Sequence, residues 1–441
     1  MKVSVIIVLA VCFAAGTKAQ EKLDSTSPAI QLSLGEVWNK AEAYNKQIQM
    51  QQMSVEASKE EIKDAKAERL PDITATAEFA RVTNMPLYEH GLFKAPTQFP
   101  VLHNYYRVGG DAYFNIYNGK KTATNIAVSE TANQIAAEQK KLTTSEIKLR
   151  ASTFFLDLQR SIVFKNLLLS HIADQEKQLS QIRQLQKNGV VLKTDVLRAE
   201  LELSRQRLSL TQIENDIAIA RQKLNIVIGQ PDSLNLVPLA DTGASFSLKS
   251  YEDYLADAMS HSYQYRISEK QTELRRLQLQ NAKTNVLPRV GLFANYAYTY
   301  PEIQFYPYAP YLYGLGMYGV RATLPISGLY HNKHKVKAAE IEYKRQELEH
   351  ADTEDAIRQQ VKEAYLRYKE AVNRIDVAKT NIQQATENLR IVRNTYFNQL
   401  SLLTDLLDAD TQVLQTRFDY AAAQIAAQLQ YYQLQKAIGN L

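Results

Sequence analysis

The 441-residue chain has a single cysteine, Cys12, so no intrachain disulfide can staple it. Glycine and proline are scarce and clustered: there is no proline between Pro100 and Pro231, and neither residue between Gly328 and Gly439. Such gaps exclude a string of small, loop-rich domains. Beyond the N-terminus there is no run of 18 apolar residues, which excludes a helical membrane span. The formal charge of +5 comes without a basic stripe interleaved with aromatics, so nucleic acid is not an expected partner. Catalytic constellations are missing as well. His331 and His334 stand i, i+3 beside lysines with no second group of ligands, and Gly109-Gly110 lacks the strand-loop-helix setting of a phosphate loop. We expect no enzyme, no cofactor and no metal site.

What is present begins with an export signal. Lys2, the apolar run Val3 to Ala15 and a small-residue site ending at Ala19 read as a secretory signal peptide over 1–19, too short to cross a bilayer. Cys12 would leave with it. Acylation of Cys12 is the alternative, and bulky Val11 stands where such sites want a small residue.

The remainder is written twice. DAKAERLPDI (64–73) matches NAKTNVLPRV (281–290) at an offset of 217, TDVLRAE (194–200) matches TDLLDAD (404–410) at 210, and Gly229 pairs with Gly439 at 210. We read a first repeat over 20–230, a linker over 231–250 and a second repeat over 251–441. Lys120 to Asn188 is 69 residues without Gly or Pro, rich in helix formers, with Val128, Ile135, Leu142, Leu149, Leu156 and Val163 every seventh residue. At about 1.5 Å per residue it is a rod of roughly 100 Å. The segments 34–70 and 195–229 suffice, end to end, for the return path beside it.

Between Pro and Gly each repeat changes character. Strands are expected over 72–82, 106–117, 289–300 and 313–326, each alternating apolar with mainly polar residues. Ile73, Ala75, Ala77 and Phe79 oppose Thr74, Thr76 and Glu78, and Val108, Ala112, Phe114 and Ile116 oppose Arg107, Asp111, Tyr113 and Asn115. Four strands cannot close a barrel and lipid tolerates no open edge, so several chains must share one barrel. Tyrosines gather around the last two strands. Tyr296, Tyr298, Tyr300, Tyr311, Tyr313 and Tyr318 are expected as membrane-interface aromatics, with Tyr306 to Tyr311 as an exposed loop.

In order, spacing and duplication these features resemble the TolC family of outer-membrane efflux proteins. The likeness covers nearly the whole chain after residue 19, including the turns NGVVLKTDVLRAELEL and NQLSLLTDLLDADTQVL and the closing LNIVIG and KAIG. It implies a mainly α fold with a β insert. Long antiparallel coiled-coil helices would form an α-barrel tunnel in the periplasm, and a homotrimer would give a 12-strand barrel among outer-membrane lipid. It also implies a periplasmic adaptor (membrane fusion) protein and an inner-membrane RND or ABC transporter as partners.

The resemblance further implies a periplasmic gate at Asp405 and Asp408, spaced i, i+3 on one helix face, although early acids there also suit a helix start capped by Thr404. Closing contacts would involve Gln184 with Tyr396, and Asp195, whose expected arginine partner is replaced by Ser401. Asn188, Gly189, Thr194, Asn398 and Thr404 would lie at the adaptor-contacting turns, with Gln399 where the first turn has Gly189. The competing class is an exported coiled-coil scaffold or adhesion protein without a channel. Residue chemistry alone leaves the cargo open.

Overall fold

Segments without Gly or Pro become the longest elements of the computed structural model, which describes residues 30–239, 248–302 and 309–441. The expected signal over 1–19, Cys12 and loop residue Tyr306 lie outside them. In chain order the first repeat comprises β1 (Ile30–Leu32), α1 (Leu34–Tyr44), α2 (Lys46–Ala67), β2 (Asp72–Arg81), β3 (Met85–Leu87), β4 (Thr97–Phe99), β5 (Asn104–Tyr117), α3 (Lys121–Lys187) and α4 (Lys193–Val227). Then follow β6 (Leu236–Pro238), α5 (Tyr251–His261), α6 (Tyr263–Thr284), β7 (Arg289–Tyr300), β8 (Tyr313–Thr323), α7 (Gly328–His331), α8 (Lys333–Phe397) and α9 (Leu403–Ala437). The chain is mainly α with a β insert. β8 stops at Thr323 rather than 326, because Pro325 has no N–H for the ladder and the chain turns there.

The ascending path is broken at the same place in both repeats. Asn45 has extended backbone, ends α1 after 11 residues and caps α2, its side chain accepting the Gln47 N–H at 3.0 Å. Ser262 likewise separates the 11 residues of α5 from the 22 of α6. At this level β1 pairs in parallel with β6, and the chain's one tryptophan, Trp38, donates from Nε1 to Ser152 Oγ at 2.9 Å. Leu32, Val37, Ala41, Ile147, Leu158, Leu224 and Leu236 form the apolar cluster beneath. Each such aliphatic residue removed from water contributes about 2 kcal/mol.

The helices lie side by side in a single layer. Toward the tips the order is α4, α3, α9, α8; toward the strands it is α2, α3, α6, α8. α3 therefore has neighbours on two flanks, and the expected heptad positions are only half-buried, apart from Leu156. The fully buried positions of α3, Ile147 and Leu158 among them, face several partners instead of one.

The strands form one antiparallel sheet in the order β2-β5-β7-β8. Pairings such as Ala77 with Val108, Val108 with Tyr298 and Tyr298 with Gly314 collect apolar side chains on one face. On the other, Glu78, Arg107, Asn295, Thr299 and Met317 line a concavity of about 680 Å³. β3 and β4 add a small hairpin beyond the sheet that the sequence pattern did not suggest. Where rods meet strands, Asn281 joins the repeats by donating to Asn125 Oδ1 at 2.7 Å, and within the second repeat Asn332 donates to the Ala282 carbonyl at 2.6 Å.

Candidate functional site

The two ends farthest from the sheet are helix-turn-helix tips of common backbone design. In the first, the Val190 N–H donates to Leu185 O at 2.9 Å and the Gly189 N–H to Gln186 O at 3.0 Å, with Gly189 at φ +73°. In the second, the Leu400 N–H donates to Thr395 O and the Gln399 N–H to Tyr396 O, both at 2.8 Å, with Gln399 at φ +63°. Both are left-handed helix stops with paired backwards hydrogen bonds. The second is built without the glycine that makes this conformation cheap.

Each ascending helix opens the same way. Asp195 Oδ2 accepts the Leu192 N–H at 3.2 Å, and Asp405 Oδ2 accepts the Leu402 N–H at 3.1 Å. The N-cap is Leu402, whose N–H Asp405 holds from the third helical position; Thr404 lies inside α9. Leu403, Leu406 and Ala409 point inward, whereas Asp405 and Asp408 share the exposed face. Asp405 has an exact counterpart in Asp195; the residue 210 before Asp408 is Arg198. At Asp408 the two copies carry opposite charges.

Tyr396 is buried against Phe397 and the cluster of Leu168, Ile172, Ile182, Leu403 and Leu406, and its hydroxyl has no hydrogen-bond partner among the described residues. Burial pushes this phenol up, and the negative charge of nearby Asp195 pushes it further. Gln184 is exposed, so the Gln184–Tyr396 contact is not made within one chain, and Asp195 is the tyrosine's charged neighbour. Ser401, in place of the expected arginine, approaches Thr395 Oγ1 at 3.1 Å and ties its own turn. Asn188, Gly189, Thr194 and Asn398 are exposed at the tips, and Thr404 is half-buried.

Sequence reasoning missed a buried polar group just above. His171 and Asp410 face each other between α3 and α9, 6% and 5% exposed, with Nε2 and Oδ2 4.0 Å apart and neither hydrogen-bonded. Gln175 and Gln178 are buried on the same seam; their amides make no well-formed hydrogen bond among the described residues, but Gln175 lies close enough to Asp410 to pull its carboxyl down. Burial lowers the His171 imidazole and raises the Asp410 carboxyl; Asp410 and His171 oppose these shifts in each other, while Arg417, Arg393, Asp174 and Glu202 add weaker fields. The only signal in sequence was Asp410 matching Glu200, which is surface-paired with Arg183 at 2.6 Å.

At the sheet, Tyr296, Tyr298 and Tyr318 lie on the apolar face, and the Tyr296 ring covers Gly314 and Gly316 so closely that a Cβ on either would clash with it. Tyr300 stacks on Tyr106 at 4.7 Å, and Tyr311 is exposed beyond the strands. Tyr313 departs from the expected aromatic belt: strand parity puts it on the concave face with Tyr105 and Thr299. Among the described residues no cluster of three His, Cys, Asp or Glu could hold a metal, and no helix is long and apolar enough to cross a membrane.

The sequence profile "Outer membrane efflux protein" matches residues 37–230 and 255–440. Among solved structures the chain is similar to the outer membrane protein VceC of Vibrio cholerae, with 17% identity, TM-score 0.76, and coverage of 92% of this chain and 96% of that one. It is also similar to the outer-membrane channel OprN (14% identity, TM-score 0.76, coverage 92% and 90%). The outer membrane channel MtrE of Neisseria gonorrhoeae, solved in an open state, gives 16% identity, TM-score 0.72 and coverage of 92% and 88%. No curated protein sequence matches. At these identities the structural likeness is one of fold.

Proposed function

Because the chain belongs to the outer membrane efflux protein family and is an outer-membrane efflux channel, we propose that three copies close edge to edge into one passive duct, gated at the tips. The observation that carries this reading is that every layer is open at the same two sides. The sheet ends in β2 on the first-repeat side and β8 on the second; the helix layer ends in α2 and α4 on the first and α8 on the second. One chain leaves both strand edges unpaired, which lipid does not tolerate. Three copies supply 12 strands.

The rods carry matching apolar stripes. Leu197, Leu201, Leu208, Ile219 and Ile226 on α4, and Ile341, Leu348, Leu366, Val377 and Ile391 on α8, are each at least half-exposed. At 3.6 residues per turn each set falls within about 40° of one helix face. α4 of one copy packs on α8 of the next.

In such a ring Asp408 of each copy points carboxylates at the axis and favours cations at the mouth, while Asp405 chiefly holds the start of α9. An adaptor engages the turns at Asn188, Gly189, Thr194, Asn398 and Thr404, and an inner-membrane pump supplies the energy. No reaction is performed on the cargo. Detergent-extracted protein should run as a trimer by native mass spectrometry, and cysteines placed on Leu208 and Val377 should crosslink between copies; a monomer, or crosslinks confined to one chain, refutes the closure.

A further inference from the structure

Where β8 gives way to the rods, the charge becomes one-signed. From Ile303 to Ala339 there is no Asp or Glu, and from Ala112 to Ser129 there is none either. The first stretch contains Arg321, Lys333, Lys335 and Lys337 with His331 and His334; the second contains Lys120 and Lys121. The opposite rim of the sheet is mixed, with Glu89, His90, Lys94, His103 and Glu302. The second repeat thus carries the cationic bias, whereas in the first Lys120 and Lys121 stand at the same level as Glu68 and Asp72.

The cations directly follow an exposed apolar run. On the outer face of β8, Tyr318 and Val320 lead to Leu324, Ile326, Leu329 and Tyr330, all more than half exposed. His331, Lys333, His334 and Lys335 come next and are exposed. In the first repeat exposed Ile116 and Tyr117 precede exposed Lys120. Lys337 is paired with Glu340 at 3.2 Å and Lys121 approaches Asn285 Oδ1 at 3.5 Å, whereas no ion pair engages Lys120, Lys333 or Lys335 among the described residues. Apolar side chains that stop where unpaired lysines begin match the boundary between acyl chains and phosphates.

We propose that Leu324–Lys335, with Lys120 of the first repeat, forms a docking belt for the anionic phospholipid headgroups of the leaflet that faces the periplasm. The belt rests on the outer-membrane reading, since the rods leave the sheet on that side. His334 lies seven residues before Ile341, on the helix face assigned to the next copy, while Lys333 and Lys335, two residues apart, leave the first turn of α8 on nearly opposite sides.

The test uses the full chain and the variant Lys120→Gln/Lys333→Gln/Lys335→Gln, each first assayed for oligomeric state in detergent. Both are then placed in nanodiscs of phosphatidylethanolamine mixed with either phosphatidylglycerol or phosphatidylcholine, and the lipid retained on re-extraction is quantified. The wild type should enrich phosphatidylglycerol at least about threefold over phosphatidylcholine, less so at high salt, and the variant should show no preference. Equal enrichment by the variant overturns the belt. So does loss of the oligomer, which would make the patch a subunit contact, and so does competition by millimolar inorganic phosphate, which would make it a free-anion site. Failure of the wild type to enter either bilayer would overturn the membrane reading itself.

Discussion

The two tips are one backbone carrying two chemistries. Their turns share hydrogen-bond pattern and cap, yet the first coil is laced by ion pairs between α3 and α4, Lys165–Glu214, Glu176–Arg207 and Arg183–Glu200, whereas none joins α8 to α9 among the described residues. The second coil instead has a buried Asp410, a strained Gln399 and the carboxylate of Asp408 where the first has a surface Glu200, a Gly189 and Arg198. Residues held in common mark what the turn needs to fold. Residues that differ mark what one tip does and the other does not.

Making the second tip imitate the first should have its largest effect at position 408. Asp408→Arg replaces each carboxylate at the mouth by a guanidinium, and the reversal potential of single channels in a salt gradient should change sign from cation- to anion-selective. Asp405→Ala should act mainly on folding, costing about 1 kcal/mol with a smaller change in selectivity. Equal effects of the two on selectivity would erase the distinction between cap and gate.

The buried pair comes next. Replacing His171 and Asp410 together by leucine should leave stability equal or raise it by about 1–4 kcal/mol, because two desolvated polar groups are exchanged for packing. Asp410→Asn leaves the imidazole as the titrating member. Its pKa lies below the ordinary 6.5, so its contribution is present above that value and lost as pH falls through the lowered one. The variant should melt at lower temperature at about pH 5.5 than at about pH 7.5. In the wild type the negative charge of Asp410 raises the imidazole against its burial, so the loss of stability toward pH 5.5 should be smaller than in the variant. Circular dichroism melts at both pH values separate these cases.

The smallest effects belong to the turns. Gln399→Gly should stabilise by about 0.5–1 kcal/mol by relieving the left-handed residue, and Gly189→Gln should destabilise by a similar amount. Chemical denaturation of the two variants gives both signs; the same sign for both would mean that the turns are not equivalent.

Much of this architecture is legible in sequence because it is local or periodic. Missing Gly and Pro announce α3 and α8, alternation announces the four long strands, and the offsets announce the repeat. What stayed hidden depends on neighbours distant in sequence. The heptad positions of α3 are half-buried because flanking helices share that rod, and Asp410 is buried only because α3 brings His171 to it. Tyr313 looked like its fellow tyrosines by composition, but an odd position in β8 turns it to the concave face. Asn45 and Ser262 break helices within polar stretches where neither Gly nor Pro gives warning. Asp405 carried two readings that only the Leu402 hydrogen bond separates.

The asparagine contacts below the sheet have a mechanical corollary. With Asn281 on Asn125 and Asn332 on the Ala282 carbonyl, α6 is pinned to both α3 and α8 just below the sheet. A twist imposed at the far ends is absorbed along about 100 Å of rod before it meets this clamp. In the proposed duct the tips move while the sheet wall stays in place.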